Sequence, residues 1–187
     1  EMCIRDSYQA IDIEAIKQKV MRGLSEPAGI ITFPGVNGYT TDLDKRLPYD
    51  VNAAKKLLAD AGYPNGFDVE LRCPNDRYVN DEAICTAVVG MLGKIGVNVN
   101  LFAQTKSKHF KELKDNQGDF YMLGWGVPTL DSHYVFHYLY ESGASWNKVN
   151  FSNSEVDAAI RVMEGEVDLD KRNAAIANAW KIVKDDI

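Results

Sequence analysis

The sequence predicts an α/β fold, a mainly parallel sheet flanked by helices. Three observations carry that expectation. Apolar and polar residues alternate at Phe67, Val69, Leu71 and Cys73 and again at Val97, Val99 and Leu101, the period of two that marks a strand. Between these runs Ile84, Val88, Met91, Leu92 and Ile95 form one helical stripe. Residues 120–123, Phe-Tyr-Met-Leu, are continuously apolar, as in a strand covered on both faces. Strands alternating with helices imply parallel pairing and right-handed crossovers.

The elements follow in order. Asp12 is placed to cap a first helix with Ile13, Ile16, Val20 and Leu24 on one stripe. Residues 27–48 are rich in Gly, Pro and Thr and form a long loop, the kind that is functional or wraps a partner surface. Asp50 caps a second helix through Ala54, Leu57, Leu58 and Ala61, with Gly62 at its left-handed stop and Pro64 beyond. Asn80 caps the helix after the first strand, with Asp81 and Glu82 in its first turn and Gly96 at its end. Gly90 and Gly93 inside it suggest close packing on the sheet. Residues 107–113 read as a short helix. Ser154-x-x-Asp157 resembles a capping box, and Ile176, Ala179, Trp180 and Val183 stripe the last helix.

The chain has 187 residues, which suggests one domain or one lobe of something larger at about 150 residues per domain. A core of that size needs no disulfide or metal staple. A net charge of -6 argues against duplex nucleic acid, which requires clustered cations. No apolar run approaches the ~18 residues of a membrane span. Cys3, Cys73 and Cys85 are too few and too uneven for a disulfide scaffold or a four-ligand zinc site, so Cys73 and Cys85 read as buried small hydrophobes. Residues 1–7 have no signal-peptide character and read as a non-native leader. The last helix lacks a stop signal, so residues 8–187 are expected to be a piece of a longer protein.

In a parallel sheet the C-terminal ends of the strands share one rim, and ligands bind outside it. The segments leaving that rim carry Asn75, Asp76, Arg77 and Tyr78, then Gln104 to Ser107, then Gly124-Trp125-Gly126 on to Asp131. Arg77 offers a planar fork for a carboxylate, or is a solvated surface cation. Tyr78 and Trp125 offer flat walls with a polar handle, or are packing residues. The glycines beside Trp125 allow close approach of backbone to a ligand. The expected ligand-binding residues are therefore Asn75, Arg77, Tyr78, Trp125 and Asp131.

Catalytic chemistry is not legible. No nucleophile elbow, phosphate loop or dinucleotide fingerprint occurs. His133 and His137 stand four apart beside Asp131, a spacing that can ligate a metal, but they lack the intervening Glu of metalloproteases and read as helix-surface histidines. His109 is lone. No catalytic residue, metal ligand or cofactor is assigned, and an enzyme lobe is the least favoured alternative.

Several segments together resemble a known family. Arg46-Leu47-Pro48-Tyr49-Asp50, Ala54-Lys55-Lys56-Leu57-Leu58 and Ala61-Gly62-Tyr63-Pro64-Asn65-Gly66-Phe67 are similar to a stretch of the family 5 extracytoplasmic solute-binding proteins, the dipeptide and oligopeptide class of ABC transporters. Asp76-Arg77-Tyr78 with Asn80-Asp81, the Ile95-Gly96-Val97 step, Gly124-Trp125-Gly126 and the Phe-Ser-Asn-x-Glu-Val-Asp of residues 151–157 follow in the same order. The resemblance implies the C-terminal lobe of a type II periplasmic-binding-protein-like fold, with the N-terminal lobe and final strands outside this chain. It implies a periplasmic or extracytoplasmic receptor that closes two lobes on a peptide or peptide-like solute and delivers it to ABC permease subunits. It also implies that an Arg matching Arg77 holds the solute carboxylate and that an acid shortly after Gly-Trp holds its amine. Here that acid position falls on Pro128, which has neither charge nor N–H, and Asp131 aligns with a later acid. A metal chelate, an opine, glutathione or a sugar are the alternative solutes.

Overall fold

The structure, a computed structural model, describes residues 4–186. The chain divides into two compact units, one built from residues 4–27 and Leu47–Gly124, the other from Ala28–Arg46 and residues 125–186.

In the first unit, helix α1 (Ile4–Ala10) precedes a short helix α2 (Ile13–Ala15) that widens into a π-helical turn over Ile16–Val20. The expected leader at 1–7 falls partly outside the described residues, while Asp6 and Ser7 lie in α1 and Asp6 is buried. Asp12 caps α2 by accepting from the Ala15 amide at 2.9 Å, but the expected stripe stops early: the chain turns at Met21 and leaves Leu24 exposed. Helix α3 (Val51–Asp60) forms as expected, with the Asp50 carboxylate accepting from the Asn52 and Ala53 amides at 2.9 Å each.

Strands β1 (Asp68–Pro74), β2 (Asn98–Gln104) and β3 (Phe120–Tyr121) form a sheet in the order β2-β1-β3, with both pairs parallel. Helix α4 (Asp81–Gly93) links β1 to β2, and helix α5 (Lys106–Lys114) links β2 to β3. Val69, Leu71 and Cys73 alternate along β1 as its buried residues, with Leu92, Ile95 and Val97 packed against Val69 in one cluster and Cys85 beside Leu71 and Cys73 in another. Between them Arg72 stacks over Phe102 at 4.0 Å and pairs with Glu70 at 2.7 Å and Glu112 of α5 at 3.2 Å. The third strand is shorter than the apolar run suggested, and its residues are half-buried rather than covered on both faces.

Three local expectations are corrected. Cys73 and Cys85 are buried, but they are joined in a disulfide with Cα atoms 6.6 Å apart, because the end of β1 meets the second turn of α4. Twelve residues of separation in sequence do not reveal that meeting. Asn80 sits in the left-handed region at φ 55° with no side-chain cap bond. A side chain at Gly90 or Gly93 would meet nothing, whereas the close approach occurs between Gly66 and Gly96, where a Cβ on Gly66 would strike the Gly96 carbonyl. Gly96 itself turns at φ 90° to end the α4 crossover.

In the second unit, helix α6 (Ser132–Val135) runs into a π-helical turn over Phe136–Tyr140, followed by α7 (Ser154–Gly165) and α8 (Leu169–Asp185). Ile160, Met163, Ile176, Ala179, Trp180 and Val183 are buried together with Phe136, whose ring lies 4.5 Å from that of Trp180. Asn153, not Ser154, caps α7, accepting from Glu155 and Val156, and Asp157 instead receives the Ser142 amide at 2.9 Å. The long loop wraps these helices. Ile30, Val36 and Leu43 enter their core, Asp44 receives the Gly29 amide at 2.7 Å and the Tyr39 hydroxyl at 3.0 Å, and Lys184 donates to the Lys45 carbonyl at 2.8 Å.

Candidate functional site

The first unit carries the strand-end rim that parallel pairing predicts. β1, β2 and β3 all run the same way, so the segments that follow them emerge along one edge. The contacts there are direct. The Asn75 amide donates to the Gln104 carbonyl at 2.9 Å, the Lys106 amide donates to Asp76 at 2.5 Å, and the Tyr78 hydroxyl donates to the Gly124 carbonyl at 3.3 Å.

One residue that sequence reasoning passed over organises this rim. Asp81 is buried, and its carboxylate accepts from the backbone amides of Arg77 and Tyr78 at 3.0 Å each and of Glu82 at 2.9 Å. Burial pushes its carboxyl up, but the amides of Tyr78, Arg77 and Glu82 outweigh that and hold it below the usual carboxylate range. The turn 77–81 is thereby fixed around the buried Asp81 carboxylate. Asn75 and Arg77 are exposed, and the Arg77 guanidinium lies 5.1 Å over the half-buried Tyr78 ring. Among the described residues Arg77 makes no ion pair, so its fork is free for an anion. The signal for Asp81 was present as an acid at the start of α4, but an acid there is read as a dipole partner until the preceding turn is seen to fold back over it.

Gly124 is needed for a different reason than expected. A Cβ there would lie 2.6 Å from the Tyr78 ring, so the missing side chain makes room for Tyr78. Gly126 opens onto empty space.

The second unit holds Trp125 and Asp131. The Trp125 ring is half-buried among Tyr134, Tyr138 and Trp146, at 6.0, 5.9 and 6.0 Å between centroids. Its Nε1 is shut off from solvent and has no hydrogen-bond partner. Asp131 is fully engaged within its own unit. It accepts both Arg172 nitrogens, at 2.7 and 2.9 Å, the Asn37 amide at 3.0 Å and the His133 backbone N–H at 2.9 Å, which caps α6. Burial works against its ionisation, but the bonds from Arg172, His133 and Asn37 prevail and keep the carboxyl below its ordinary value. Arg172 and Asn37 were not singled out in the sequence, because residues 41 and 94 positions away from Asp131, respectively, leave no local pattern. Pro128 is exposed.

Comparison with known proteins matches residues 8–147 to the model of the bacterial extracellular solute-binding proteins, family 5, middle region. The chain belongs to this family. Among curated family 5 relatives, heme-binding protein A of Haemophilus influenzae is 28% identical over 182 residues, which covers 93% of this chain and 32% of that protein. The dipeptide-binding protein of Escherichia coli is 28% identical over 146 residues, covering 76% of this chain and 27% of its own length. A crystal structure of a dipeptide-binding protein from a Pseudoalteromonas species, in complex with Met-Leu, superposes with a TM-score of 0.88 at 26% identity, covering 97% of this chain and 37% of that one. The chain thus spans about a third of the relatives it matches. These relatives are named as binding proteins rather than enzymes, and no helix among the described residues is long and apolar enough to cross a membrane.

Proposed function

We propose that this chain is the C-terminal part of a solute-binding receptor of an ABC importer, and that it takes a peptide or peptide-like anion outside the cytoplasm. The observation that carries the reading is the Arg77 turn: an unpaired guanidinium beside an aromatic ring, on a backbone clamped by a buried carboxylate, at the strand-end rim of a family 5 unit. Arg77 receives the solute carboxylate, and Tyr78 and Asn75 contact the adjoining groups. A charge-assisted bond of this kind contributes on the order of 1.5–3 kcal/mol. Asp131 serves by capping α6 and anchoring Arg172, not by meeting the solute amine. With Pro128 at the position where the family acid stands, the solute is recognised through its carboxylate and not through a free α-amine at this segment.

The buried disulfide supports an oxidising, extracytoplasmic location, and the permease subunits are the partners. The reading has no catalytic step, in keeping with relatives that are named as binding proteins. The test is a thermal-shift screen of the full-length protein against dipeptides, N-acetylated dipeptides, glutathione, opines and sugars, because a ligand of the native state raises the melting point. Free and N-acetylated peptides are expected to shift it comparably. Stabilisation by neutral sugars alone overturns the peptide-anion reading. Stabilisation only by peptides with a free amine overturns the role given to Asp131.

A further inference from the structure

We propose that His133, His137 and Glu164 form a binding site for one borderline divalent transition-metal cation, such as zinc or nickel, separate from the residues assigned above to the solute. All three belong to the second unit, His133 on α6, His137 on the π-helical turn that continues it, and Glu164 near the end of α7. One ligand atom from each lies within 4.8 Å of the others. Glu164 Oε1 is 3.5 Å from His133 Nε2 and 3.8 Å from His137 Nδ1. Ligands held at zinc distances on a tetrahedron stand about 3.4 Å apart, and the two Glu164–imidazole distances are already close to that spacing. Two imidazoles and a carboxylate are the donor set that borderline cations prefer, with a fourth position left for water.

The second observation is what these nitrogens lack. His133 Nε2 and His137 Nδ1 are both shut off from solvent and without a hydrogen-bond partner. Glu141 Oε2 approaches His137 Nδ1 to 2.9 Å, but the pair is not aligned as a hydrogen bond. The two rings stack at 5.6 Å with 25° between their planes, and one nitrogen of each lies beside the same Glu164 carboxylate. Buried polar atoms are ordinarily satisfied, and two that converge on one carboxylate are satisfied together by a shared cation. Two neighbouring carboxylates, Glu141 and Glu164, match its double charge. The sequence showed the two histidines but not Glu164, which lies 27 positions beyond His137 and reaches them only through the packing of α7 on α6.

The experiment is calorimetric titration of the full-length protein, stripped of metal with a chelator, with zinc chloride and separately with nickel chloride. One equivalent is expected to bind, and the His133→Gln/His137→Gln variant is expected to lose at least tenfold in affinity. Glu164→Gln is made in parallel at an exposed position, where folding is not at stake; it is expected to weaken binding and to remove the rise in melting point that zinc gives the wild type. No binding by the wild type, or binding of the same stoichiometry and affinity in both variants, overturns the site. An imidazolium–carboxylate cluster without metal affinity gives the first of these results. The solute reading is untouched by either.

Discussion

Asp81 and Asp131 show how a single carboxylate fixes a loop. Each collects several N–H donors inside its own unit, and each is held ionised below the usual carboxylate range. The consequence for stability has a definite sign. A lowered native pKa means that the unfolded chain binds protons first, so this stabilisation is present above the ordinary carboxylate value and is lost as pH falls through the lowered native one. The urea midpoint of the full-length protein is therefore expected to fall from about pH 5 downward. In Asp131→Asn that fall is shallower, since one of the contributing groups no longer titrates; identical pH profiles for the two proteins would contradict the assignment. Truncation of the partner acts differently. Arg172→Ala leaves the Asp131 carboxylate half-buried and short of two donors, and is expected to destabilise by about 3 kcal/mol, read from the shift in urea midpoint. None of this was legible from residue order. Asp131 reads as a free acid near a Gly-Trp segment until Arg172 and Asn37 arrive from distant parts of the chain.

At the scale of elements, legibility followed the range of the determining interaction. α3, β1 and α8 are specified by local signals, and they appear where the Asp50 cap, the Val69-Leu71-Cys73 alternation and the Ile176-Trp180-Val183 stripe place them. The disulfide and the contact of Asn80 with the Val20 carbonyl depend on which elements meet, and period alone does not encode that. The disulfide ties the end of β1 to α4, the two elements that flank the Arg77 turn in sequence. Closing a loop of this length restrains the unfolded chain by about 3 kcal/mol. Cys73→Ala/Cys85→Ala is expected to lower stability by roughly that amount, measured by chemical denaturation under non-reducing conditions. A reductant should lower the midpoint of the wild type and leave the variant unchanged. In the other unit, Trp180 is the large side chain on which α6, α7 and the wrapped loop converge. Trp180→Ala is expected to cost about 3–5 kcal/mol, while Leu169→Ala, at an exposed position of the same helix, stays near zero in the same assay.

At the scale of the molecule, two separate cores serve one family assignment. The first unit presents the parallel-strand rim and the clamped Arg77 turn; the second holds the Trp125 aromatic group and the histidine–glutamate cluster. The fold class and the family were readable because strand–helix alternation and a run of short motifs extend over most of the chain. The proposed solute contacts were readable only in part. Parallel topology places residues 75–78 at a rim, whereas the duty of Asp131 is set by partners no motif announces. The account rests on the Arg77 guanidinium as the anchor for a solute carboxylate. Its most direct test is isothermal titration of a dipeptide against the full-length protein and against Arg77→Ala. Loss of ten- to a hundredfold in affinity, with the melting point of the unliganded variant unchanged, is the predicted result, corresponding to about 1.5–3 kcal/mol. Binding of the same peptide with equal affinity by both proteins would contradict the account.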